Sequence, residues 1–309
     1  MSYGCFVSLS PGPRVVTVVG PTAAGKSALS IALAHELGGE VVNADSMQLY
    51  RGMDIGTAKL SVAERDGVPH HLLDIWDVSV TAAVAEYQAL ARAAIDDIRA
   101  RGRVPLLVGG SGLYLRAVLE EFEFPGTDPV IRARLEAELA ETGPAPLFAR
   151  LRDRDPVAAG KILPSNGRRI VRALEVIELT GQPFTAALPD PRPYYPSVQI
   201  GVDREVAELD ERIARRVDLM WAAGLLDEVR ALDAAGIRDG RTASRALGYQ
   251  QAIAQLDGVL TESEAKDETV RGTRRFVRRQ RSWFRRDPAI TWLDGAAPTL
   301  VADALAVAR

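Results

Sequence analysis

Two hydrophobic patterns alternate along the chain, one typical of buried β-strands and the other of amphipathic helices. Short runs rich in β-branched residues, such as 15–19 and 104–108, predict strands that are buried on both faces. Apolar residues three and four positions apart predict the helices between them, most clearly from Ala82 to Arg101, where Gly102 ends the pattern. This alternation predicts an α/β fold with a parallel sheet flanked by helices.

The same two patterns continue to the end of the chain. The predicted strands are 15–19, 40–46, 104–108, 197–202 and 290–293. The predicted helices outside the insertion described next are 28–34, 82–101, 204–221, 225–235, 244–256 and 261–286, followed by a short terminal helix.

The character of the sequence changes after Glu120. Asp128 followed by Pro129 predicts the start of a helix, and 155–181 predicts one or two more. A proline-rich stretch then leads back to a strand at Ser197. We therefore expect a flexible N-terminal segment, a catalytic core in two pieces and a mainly helical insertion domain, at 1–14, at 15–120 with 197–309, and at 121–196.

A phosphate-binding loop follows the first predicted strand. The sequence G-x-x-x-x-G-K-S comprises Gly20, Pro21, Thr22, Ala23, Ala24, Gly25, Lys26 and Ser27. Its glycines let backbone N–H groups converge on an anion at the start of the next helix, while Lys26 supplies a charge and Ser27 a hydroxyl for Mg²⁺. A chance glycine-rich turn is disfavoured because a strand precedes the motif and a helix follows it. The loop predicts a di- or triphosphate ligand, and leaves open whether the phosphate is transferred, hydrolysed or expelled.

Two polar residues follow other strands of the predicted sheet. Asp45 comes at the end of the second strand, and Ser111 follows 104–108 after two glycines. The carboxyl ends of parallel strands meet at one edge, so we expect both residues beside the phosphate loop, although a turn or cap role for Asp45 is the alternative. An ATPase would usually carry an acid where Gly109 stands, which weakens a hydrolytic interpretation. His70 and His71 point to opposite faces of a strand and favour a structural role over a metal site.

Composition excludes several classes of protein. The 309 residues are 47% hydrophobic and 26% charged, with a net charge of −3. A lone cysteine, Cys5, rules out a disulfide framework and a cysteine zinc site, and it fits a reducing, cytoplasmic setting. The sequence contains no apolar run of the roughly 18 residues that a membrane span needs. We expect a soluble protein.

The average charge hides two clusters of arginines. The first stripe lies within 271–286, with Phe276, Val277, Trp283 and Phe284 between its members Arg271, Arg274, Arg275, Arg278, Arg279, Arg281, Arg285 and Arg286. Such an array predicts a surface for nucleic acid or polyphosphate, with a solvated helix face as the alternative. The second cluster, in the insertion, is Arg168, Arg169 and Arg172, for which a salt-bridged helix face and ligand contact are equally good interpretations.

Eight motifs together resemble those of the bacterial tRNA dimethylallyltransferases. They are GPTAAGKS, DSMQLYRGMDIGTAK, PHHLLDI, LLVGGSGLYL, DPVIRARLE, RRIVRALEV, RALGYQ and TRRFVRRQRSW, and they span most of the chain from Val15 to Leu293. The second motif is the most specific, because phosphate loops are common whereas DSMQLYRGMDIGTAK is not. The resemblance implies a P-loop NTPase-like fold and transfer of a dimethylallyl group from its diphosphate to N6 of the adenosine 3′ to the anticodon (adenosine 37). It also implies Mg²⁺ as cofactor, the tRNA anticodon stem-loop as partner, no membrane partner and a monomer.

The resemblance also assigns roles to residues of this chain. It places the donor diphosphate at 20–27, with either Arg212 or Arg216 helping, and the reacting groups at Lys26, Asp45 and Ser111. The positions implied for tRNA are Asp45, Ser46, Met47, Gln48, Ser111, Arg132, Arg168, Arg169, Ile170, Val171, Arg172, Arg245, Ala246, Leu247, Gly248, Tyr249 and Gln250, to which the stripe adds Arg274, Arg275 and Arg278. Ser111 stands where many members have threonine, and 163–166 departs from the usual His-Pro-Asn-Asp.

Independent chemistry agrees with this assignment. Adenine N6 is a weak, conjugated nucleophile, so an acceptor for its proton should be close by, and Asp45 is placed for that role. A stacked base must be flipped out to react, which calls for a gripping surface larger than the catalytic pocket. Two alternatives stay open at this point: a small-molecule kinase that uses the same loop for ATP, and a non-catalytic P-loop protein that binds RNA.

Overall fold

The computed structural model describes residues 13–121, 124–184 and 192–309. Residues 1–12 of the expected N-terminal segment and 188–191 of the proline-rich stretch lie outside these ranges. The chain divides into two compact units, one that reaches Glu120 and resumes at Pro193 and one from Glu121 to Arg192.

The first unit is built on a parallel sheet of six strands. The strands are β1 (Val15–Val19), β2 (Gly39–Asn43), β3 (His70–His71), β4 (Val104–Gly109), β5 (Ser197–Asp203) and β6 (Ile290–Asp294). Their order across the sheet is β3-β2-β4-β1-β5-β6, and each neighbouring pair is parallel. The predicted α/β fold with a parallel sheet is confirmed.

Helices cover both faces of this sheet. In the first unit they are α1 (Lys26–Leu37), α2 (Val84–Ala100), α3 (Gly112–Leu119), α8 (Val206–Ala222), α9 (Leu225–Ala234), α10 (Tyr249–Leu256), α11 (Glu262–Phe284) and α12 (Leu300–Ala308). Alternate residues of β1 enter different cores: Val15 and Val19 pack into one, and Val16 and Val18 into the other. A strand with cores on both sides must be apolar throughout, which explains the continuous hydrophobic runs in the sequence.

The second unit consists of helices in its described residues, 121, 124–184 and 192. They are α4 (Pro129–Thr142), α5 (Pro144–Arg154), α6 (Pro156–Ala159) and α7 (Gly167–Thr180). The predicted start of α4 is confirmed, since the Asp128 carboxylate accepts hydrogen bonds from the amides of Val130 and Ile131. Helix α5 was not predicted. Only Leu147 and Leu151 mark its buried face, among arginines and prolines that obscure the helical repeat.

One predicted helix is wrong in its extent. The sequence predicted a continuous helix over 244–256, whereas the structure has a 3₁₀ turn at Ala243–Arg245 and begins α10 only at Tyr249. Gly248 separates them with φ of +90°, a conformation that a helix cannot contain. The apolar spacing continues across this break and so conceals it. No helix within the described part of the chain is both long and apolar enough to span a membrane.

Candidate active site

The phosphate loop joins β1 to α1 in a conformation suited to an anion. Gly20 (φ +145°) and Gly25 (φ +109°) have left-handed backbones, as does Ala23 (φ +69°). A side chain at Gly20 would overlap the carbonyl oxygen of Val202, so the loop can turn here only with glycine. Gly25 caps α1 without a side-chain hydrogen bond, which leaves the first amides of the helix available to a ligand.

Long cationic side chains donate hydrogen bonds to backbone carbonyls of this loop. Arg212 donates from Nε to the Ala23 carbonyl at 2.8 Å, and Arg204 donates from Nε to the Ala24 carbonyl at 3.0 Å. The Lys26 ammonium donates to the Pro21 carbonyl at 2.8 Å. Because these cations bind carbonyl oxygens of the loop, the loop backbone does not need to rearrange before its amides meet an anion.

Arg216 faces the cavity, whereas Arg212 supports the loop. Arg216 lines the cavity described below and donates from Nη2 to the Thr57 carbonyl at 3.1 Å. Burial lowers its pKa, and the nearby Asp45 opposes that change. The sequence left open which of the two arginines meets the diphosphate, and this geometry favours Arg216.

Lys26 is an unusual lysine because its ammonium is poorly solvated. Burial is the main cause that lowers its pKa to about 8, the Arg216 charge adds to the effect, and the Asp45 carboxylate works against it. The Arg216 guanidinium is thus close enough to repel the Lys26 ammonium, and the Asp45 carboxylate attracts both. A bound anion would relieve the repulsion between them.

Asp45 is held in position by the end of β2. Its amide donates to Asn43 Oδ1 at 2.9 Å, and its own Oδ1 accepts from the Met47 amide at 2.9 Å. Asn43 is itself fixed, since its Nδ2 donates to the Leu72 carbonyl and its carbonyl accepts from the Tyr87 hydroxyl. Asp45 therefore does fill the turn role that was the structural alternative, and it also lines the cavity.

Ser111 lies directly across from the turn that carries Asp45. Its Oγ accepts from the Ser46 amide at 3.2 Å and lies 3.3 Å from Ser46 Oγ. The strand before it ends in Gly109, where any side chain would overlap the backbone of Ala44. The acid that a hydrolase would place at this strand end is therefore excluded by space as well as by sequence.

One cavity of about 380 Å³ is lined both by Asp45, which follows β2, and by Ser111, which follows β4. Its lining is mixed. Polar and charged lining residues include Thr22, Asp45, Ser46, Ser111, Arg216, Arg245 and Arg279, and apolar ones include Met47, Ile213, Val217, Met220, Leu247 and Phe276. Gln48, which the resemblance placed with the adenosine, instead donates from Nε2 to the Thr57 carbonyl at 3.2 Å. This is a site for a ligand with a charged end and an apolar group.

Glu228 organises the loop at 54–57 that borders this cavity. Its carboxylate accepts from the amides of Ile55 at 2.8 Å and Asp54 at 3.2 Å. The Tyr249 hydroxyl donates to the same carboxylate at 2.6 Å, and burial together with Glu228 raises the tyrosine pKa. The Tyr249 side chain is fully buried and supports the loop through this hydrogen bond.

The segment around Tyr249 differs in exposure from residue to residue. Arg245 and Gln250 are exposed, whereas Ala246 and Gly248 are buried. Arg245, Ala246, Leu247 and Tyr249 all line the cavity. In this segment, Arg245 and Gln250 have side chains exposed enough to contact an RNA backbone.

Only part of the arginine stripe on α11 is free to meet a ligand. Arg274 lies 3.4 Å from an Asp210 oxygen, and Arg281 and Arg285 bind the carboxylate of Asp203 at 2.8 and 3.0 Å. The exposed members are Arg271, Arg275, Arg278, Arg279, Arg285 and Arg286, of which Arg285 is held by Asp203. The residues interleaved with these arginines differ in burial: Val277 and Phe284 belong to the core, while Trp283 is 40% exposed.

The arginines of the second unit differ in burial and partners. Arg132 and Arg172 both bind the carboxylate of Glu175, which is fully buried, so the salt-bridged interpretation holds for Arg172, and Arg132, which the resemblance placed with tRNA, is engaged in the same way. Burial acts to raise the Glu175 pKa, but the two arginines outweigh it and the net shift is downward. Arg168 and Arg169 are exposed at the start of α7, where Asn166 caps the helix. Ile170 and Val171 are buried core residues and cannot present side chains to RNA.

Within the residues that the structure describes, no cluster of three His, Cys, Asp or Glu side chains could hold a metal by itself. His71 binds Glu40 at 2.7 Å, in keeping with the structural role predicted for it. The exposed Ser27 hydroxyl at the start of α1 is the side-chain oxygen that the phosphate loop offers to a cation. A magnesium ion here would take its other ligands from a bound diphosphate and water.

Sequence reasoning missed several residues that shape this site, Glu228 among them. Thr57 supplies the carbonyl that Arg216 and Gln48 share, and Gln280 contacts the phosphate loop from α11. Thr57 lies in the most specific motif, DSMQLYRGMDIGTAK. That motif indicates a role for the segment but does not indicate that the Thr57 carbonyl oxygen carries it. Gln280 carried a signal of its own, since it falls between Val277 and Phe284 on the buried spacing of an otherwise basic helix.

Comparisons with known proteins point in one direction. The family model for IPP transferase matches residues 48–287. A tRNA dimethylallyltransferase from Salinispora arenicola is 77% identical over 295 residues, covering 96% of this chain and 86% of that protein. The enzyme of that name from Streptomyces coelicolor is 69% identical over 288 residues, covering 93% and 92%.

Solved structures agree with these relatives. The tRNA isopentenylpyrophosphate transferase of Bacillus halodurans has a TM-score of 0.70 and 44% identity, covering 96% of this chain and 94% of that one. A eukaryotic dimethylallyltransferase acting on tRNA has a TM-score of 0.81 and 27% identity, covering 96% and 78%. With a phosphate loop, a half-apolar cavity and relatives this similar along almost its whole length, the chain belongs to the IPP transferase family.

Proposed function

We propose that this protein transfers a dimethylallyl group from dimethylallyl diphosphate to N6 of adenosine 37, next to the anticodon of tRNA, to give N6-dimethylallyladenosine. The observation that carries the proposal is the single cavity in which Asp45, Ser111 and Arg216 meet beside the phosphate loop. The names of the relatives, tRNA dimethylallyltransferases, support the same reaction.

The phosphate loop holds the leaving group in this proposal. As the bond between the allylic carbon and oxygen breaks, negative charge grows on the diphosphate. The amides at the start of α1, the Lys26 ammonium and the Arg216 guanidinium are arranged to meet that charge. Because the loop carbonyls are already bound by Arg204 and Arg212, little reorganisation is needed when the charge develops.

Asp45 and Ser111 act on the nucleophile. The N6 amine attacks the allylic carbon, the carbon–oxygen bond breaks with its electron pair leaving on the diphosphate, and the N6 proton passes to the Asp45 carboxylate. Asp45 Oδ1 is engaged by the Met47 amide, which leaves Oδ2 as the acceptor we assign to this proton. Ser111 Oγ, held by the Ser46 amide, orients the adenine edge.

The apolar lining residues suit the remaining part of the donor. Val217 and Leu247 line the cavity with hydrocarbon side chains, which offer no nucleophile to the allylic group. An apolar surface at this position also excludes water, which would otherwise capture the dimethylallyl group.

Magnesium is the cofactor we propose. The Ser27 hydroxyl, together with the donor's diphosphate, would hold the ion, which would supply positive charge against the leaving group. The residues present fit this role, because Ser27 is exposed at the start of α1, where the phosphate loop ends.

Exposed cations are the candidates for contact with the tRNA anticodon stem-loop. In the first unit they are Arg245, Arg275 and Arg278. In the second unit, taken by itself, they are Arg168 and Arg169. We propose a monomer that works in the cytoplasm.

One assay tests the proposed function directly. Protein, Mg²⁺, unmodified tRNA and labelled dimethylallyl diphosphate are incubated, and the digested tRNA is searched for N6-dimethylallyladenosine. We expect label in that nucleoside and its loss in the Asp45→Asn variant. Phosphate transfer from ATP without prenyl transfer would support the kinase alternative, and tRNA binding without either reaction would support a non-catalytic RNA-binding protein.

A further inference from the structure

Gln280 is a polar side chain buried in the middle of the arginine-rich helix α11. It is 6% exposed, while its neighbours Arg278 and Arg279 are exposed to solvent. Burying an amide costs free energy unless its hydrogen bonds are made, so its partners should indicate why it is there.

Both ends of the Gln280 amide are used, and each binds a different loop of the active site. The Thr22 amide, in the phosphate loop, donates to Gln280 Oε1 at 3.0 Å. Gln280 Nε2 donates to the carbonyl of Gly110 at 3.0 Å, one residue before Ser111. One side chain therefore joins the loop assigned to the donor with the turn assigned to the acceptor, from a helix more than 150 residues away along the sequence.

Only an amide of this length can make the bridge. A glutamate could accept from Thr22 but could not donate to the Gly110 carbonyl at neutral pH, and a methionine of similar length could do neither. The turn is shaped to receive Gln280, because a side chain at Gly110 would overlap its Nε2. A side chain at Gly112 would likewise overlap the indole of Trp283, three residues further along α11.

We propose that Gln280 is a positioning residue that fixes the phosphate loop and the Ser111 turn at one separation, and so sets the distance between the diphosphate and the adenine amine. The proposal rests on the proposed function, because it concerns the geometry of that reaction. Reacting atoms must approach within about 3–3.5 Å, and an error of about 1 Å costs on the order of a hundredfold in rate. Gln280 contacts neither substrate in this account; it acts through the two loops.

The test replaces Gln280 with methionine, which preserves length and removes both hydrogen bonds. We expect the donor KM to rise about tenfold and the single-turnover rate at saturating substrates to fall by roughly ten- to a hundredfold. The tRNA dissociation constant should change by less than about twofold, since the exposed arginines are untouched. A merely structural role would reduce the fraction of active protein and leave the donor KM unchanged.

Gln255→Met is the matched control. Gln255 also makes a partly buried hydrogen bond, accepting from Trp221 Nε1 at 2.8 Å, but its partner lies on α8 and in neither of the two loops. We expect donor KM and single-turnover rate to be those of the wild type in this variant. If Gln280→Met does not fold, Gln280→Glu keeps the acceptor for Thr22 and places a negative charge beside the phosphate loop, so its donor KM should rise by more than tenfold.

Binding of inorganic pyrophosphate without tRNA, measured by calorimetry, separates this proposal from the proposed function. A wild-type protein that binds pyrophosphate but never prenylates tRNA would contradict the proposed function, whereas weaker pyrophosphate binding in Gln280→Met would still support the bridge. Folded Gln280 variants that match the wild type in pyrophosphate affinity, donor KM and single-turnover rate would overturn the role of Gln280.

Discussion

At the scale of single residues, the lowered pKa of Lys26 makes donor use depend on pH. In the free protein burial brings this pKa to about 8, and only the charged ammonium pairs well with a diphosphate. Because kcat/KM reports the free enzyme, its value for dimethylallyl diphosphate should fall as pH rises through about 8. A bound diphosphate stabilises the ammonium, so kcat should fall only at higher pH.

The control for this prediction is Lys26→Arg, whose guanidinium stays charged throughout the range. Its activity should be lower because the geometry changes, but its donor kcat/KM should lack the decline near pH 8. The measurement is donor kcat/KM from about pH 6.5 to 9.5 in both proteins. The same decline in both would assign it to another group.

Glu40 controls stability at acidic pH. It is buried and accepts from Arg101 Nη2 at 2.9 Å, and this bond, with help from His71, lowers its pKa to about 2. A carboxyl with a lowered pKa stabilises the fold above its unfolded pKa, and this contribution is lost as pH falls from about 4.5 to about 2.

Glu40→Gln should therefore lower the free energy of unfolding at pH 7 by about 2 kcal/mol, a figure reduced because Arg101 is partly exposed. Urea denaturation at pH 7 and at about pH 3 measures the difference, which should shrink at the lower pH. The exposed Glu36→Gln serves as control. Equal stability of Glu40→Gln and wild type at pH 7 would refute the assignment.

At the scale of elements, α11 combines a buried bridge with an exposed basic face. Arg275 and Arg278 are exposed, whereas Arg274 is engaged by Asp210. Replacing Arg275 and Arg278 with alanine should weaken tRNA binding and reduce the slope of log affinity against log salt by roughly two units, about one for each phosphate that is no longer neutralised. Donor KM should change little.

Arg103 and Arg230, two exposed arginines outside α11, provide the matched double-alanine control. Filter binding of tRNA at several salt concentrations compares the two double variants. Equal slopes and affinities would mean that the exposed face of α11 is only a solvated surface.

The elements themselves differ in how well the sequence predicts them. Buried parallel strands leave continuous apolar runs, so β1 and β4 were predicted within one residue. Helix α5 was missed because its buried face is two leucines wide, and α10 was extended too far because apolar spacing crosses the left-handed Gly248. The local pattern of apolar residues predicts which residues are buried well, but it predicts breaks in the backbone poorly.

At the scale of the whole molecule, the sequence predicts the loops of the site but not the contacts that hold them. Motifs locate the phosphate loop and Asp45, because their chemistry lies in consecutive residues. The bonds from Gln280 to Thr22 and from Glu228 to Ile55 join residues 258 and 173 positions apart. Such pairs depend on how helices dock, which periodicity does not encode. For the same reason the sequence could not decide that Glu175 occupies Arg132 and Arg172.

In the proposed reaction, the Asp45 carboxylate takes the proton of the N6 amine that attacks the donor. Asp45→Asn preserves size and one oxygen acceptor but removes basicity. Single-turnover prenyl transfer with saturating tRNA and donor measures the chemical step without interference from product release. Asp77→Asn, which changes an exposed carboxylate paired with Arg51, is the matched control.

We predict that the Asp45→Asn rate falls by roughly 10² to 10⁴, the range for general-base catalysis, while donor and tRNA affinities and the Asp77→Asn rate stay close to wild type. An Asp45→Asn rate within about threefold of wild type would contradict the account, since a general base contributes far more than that.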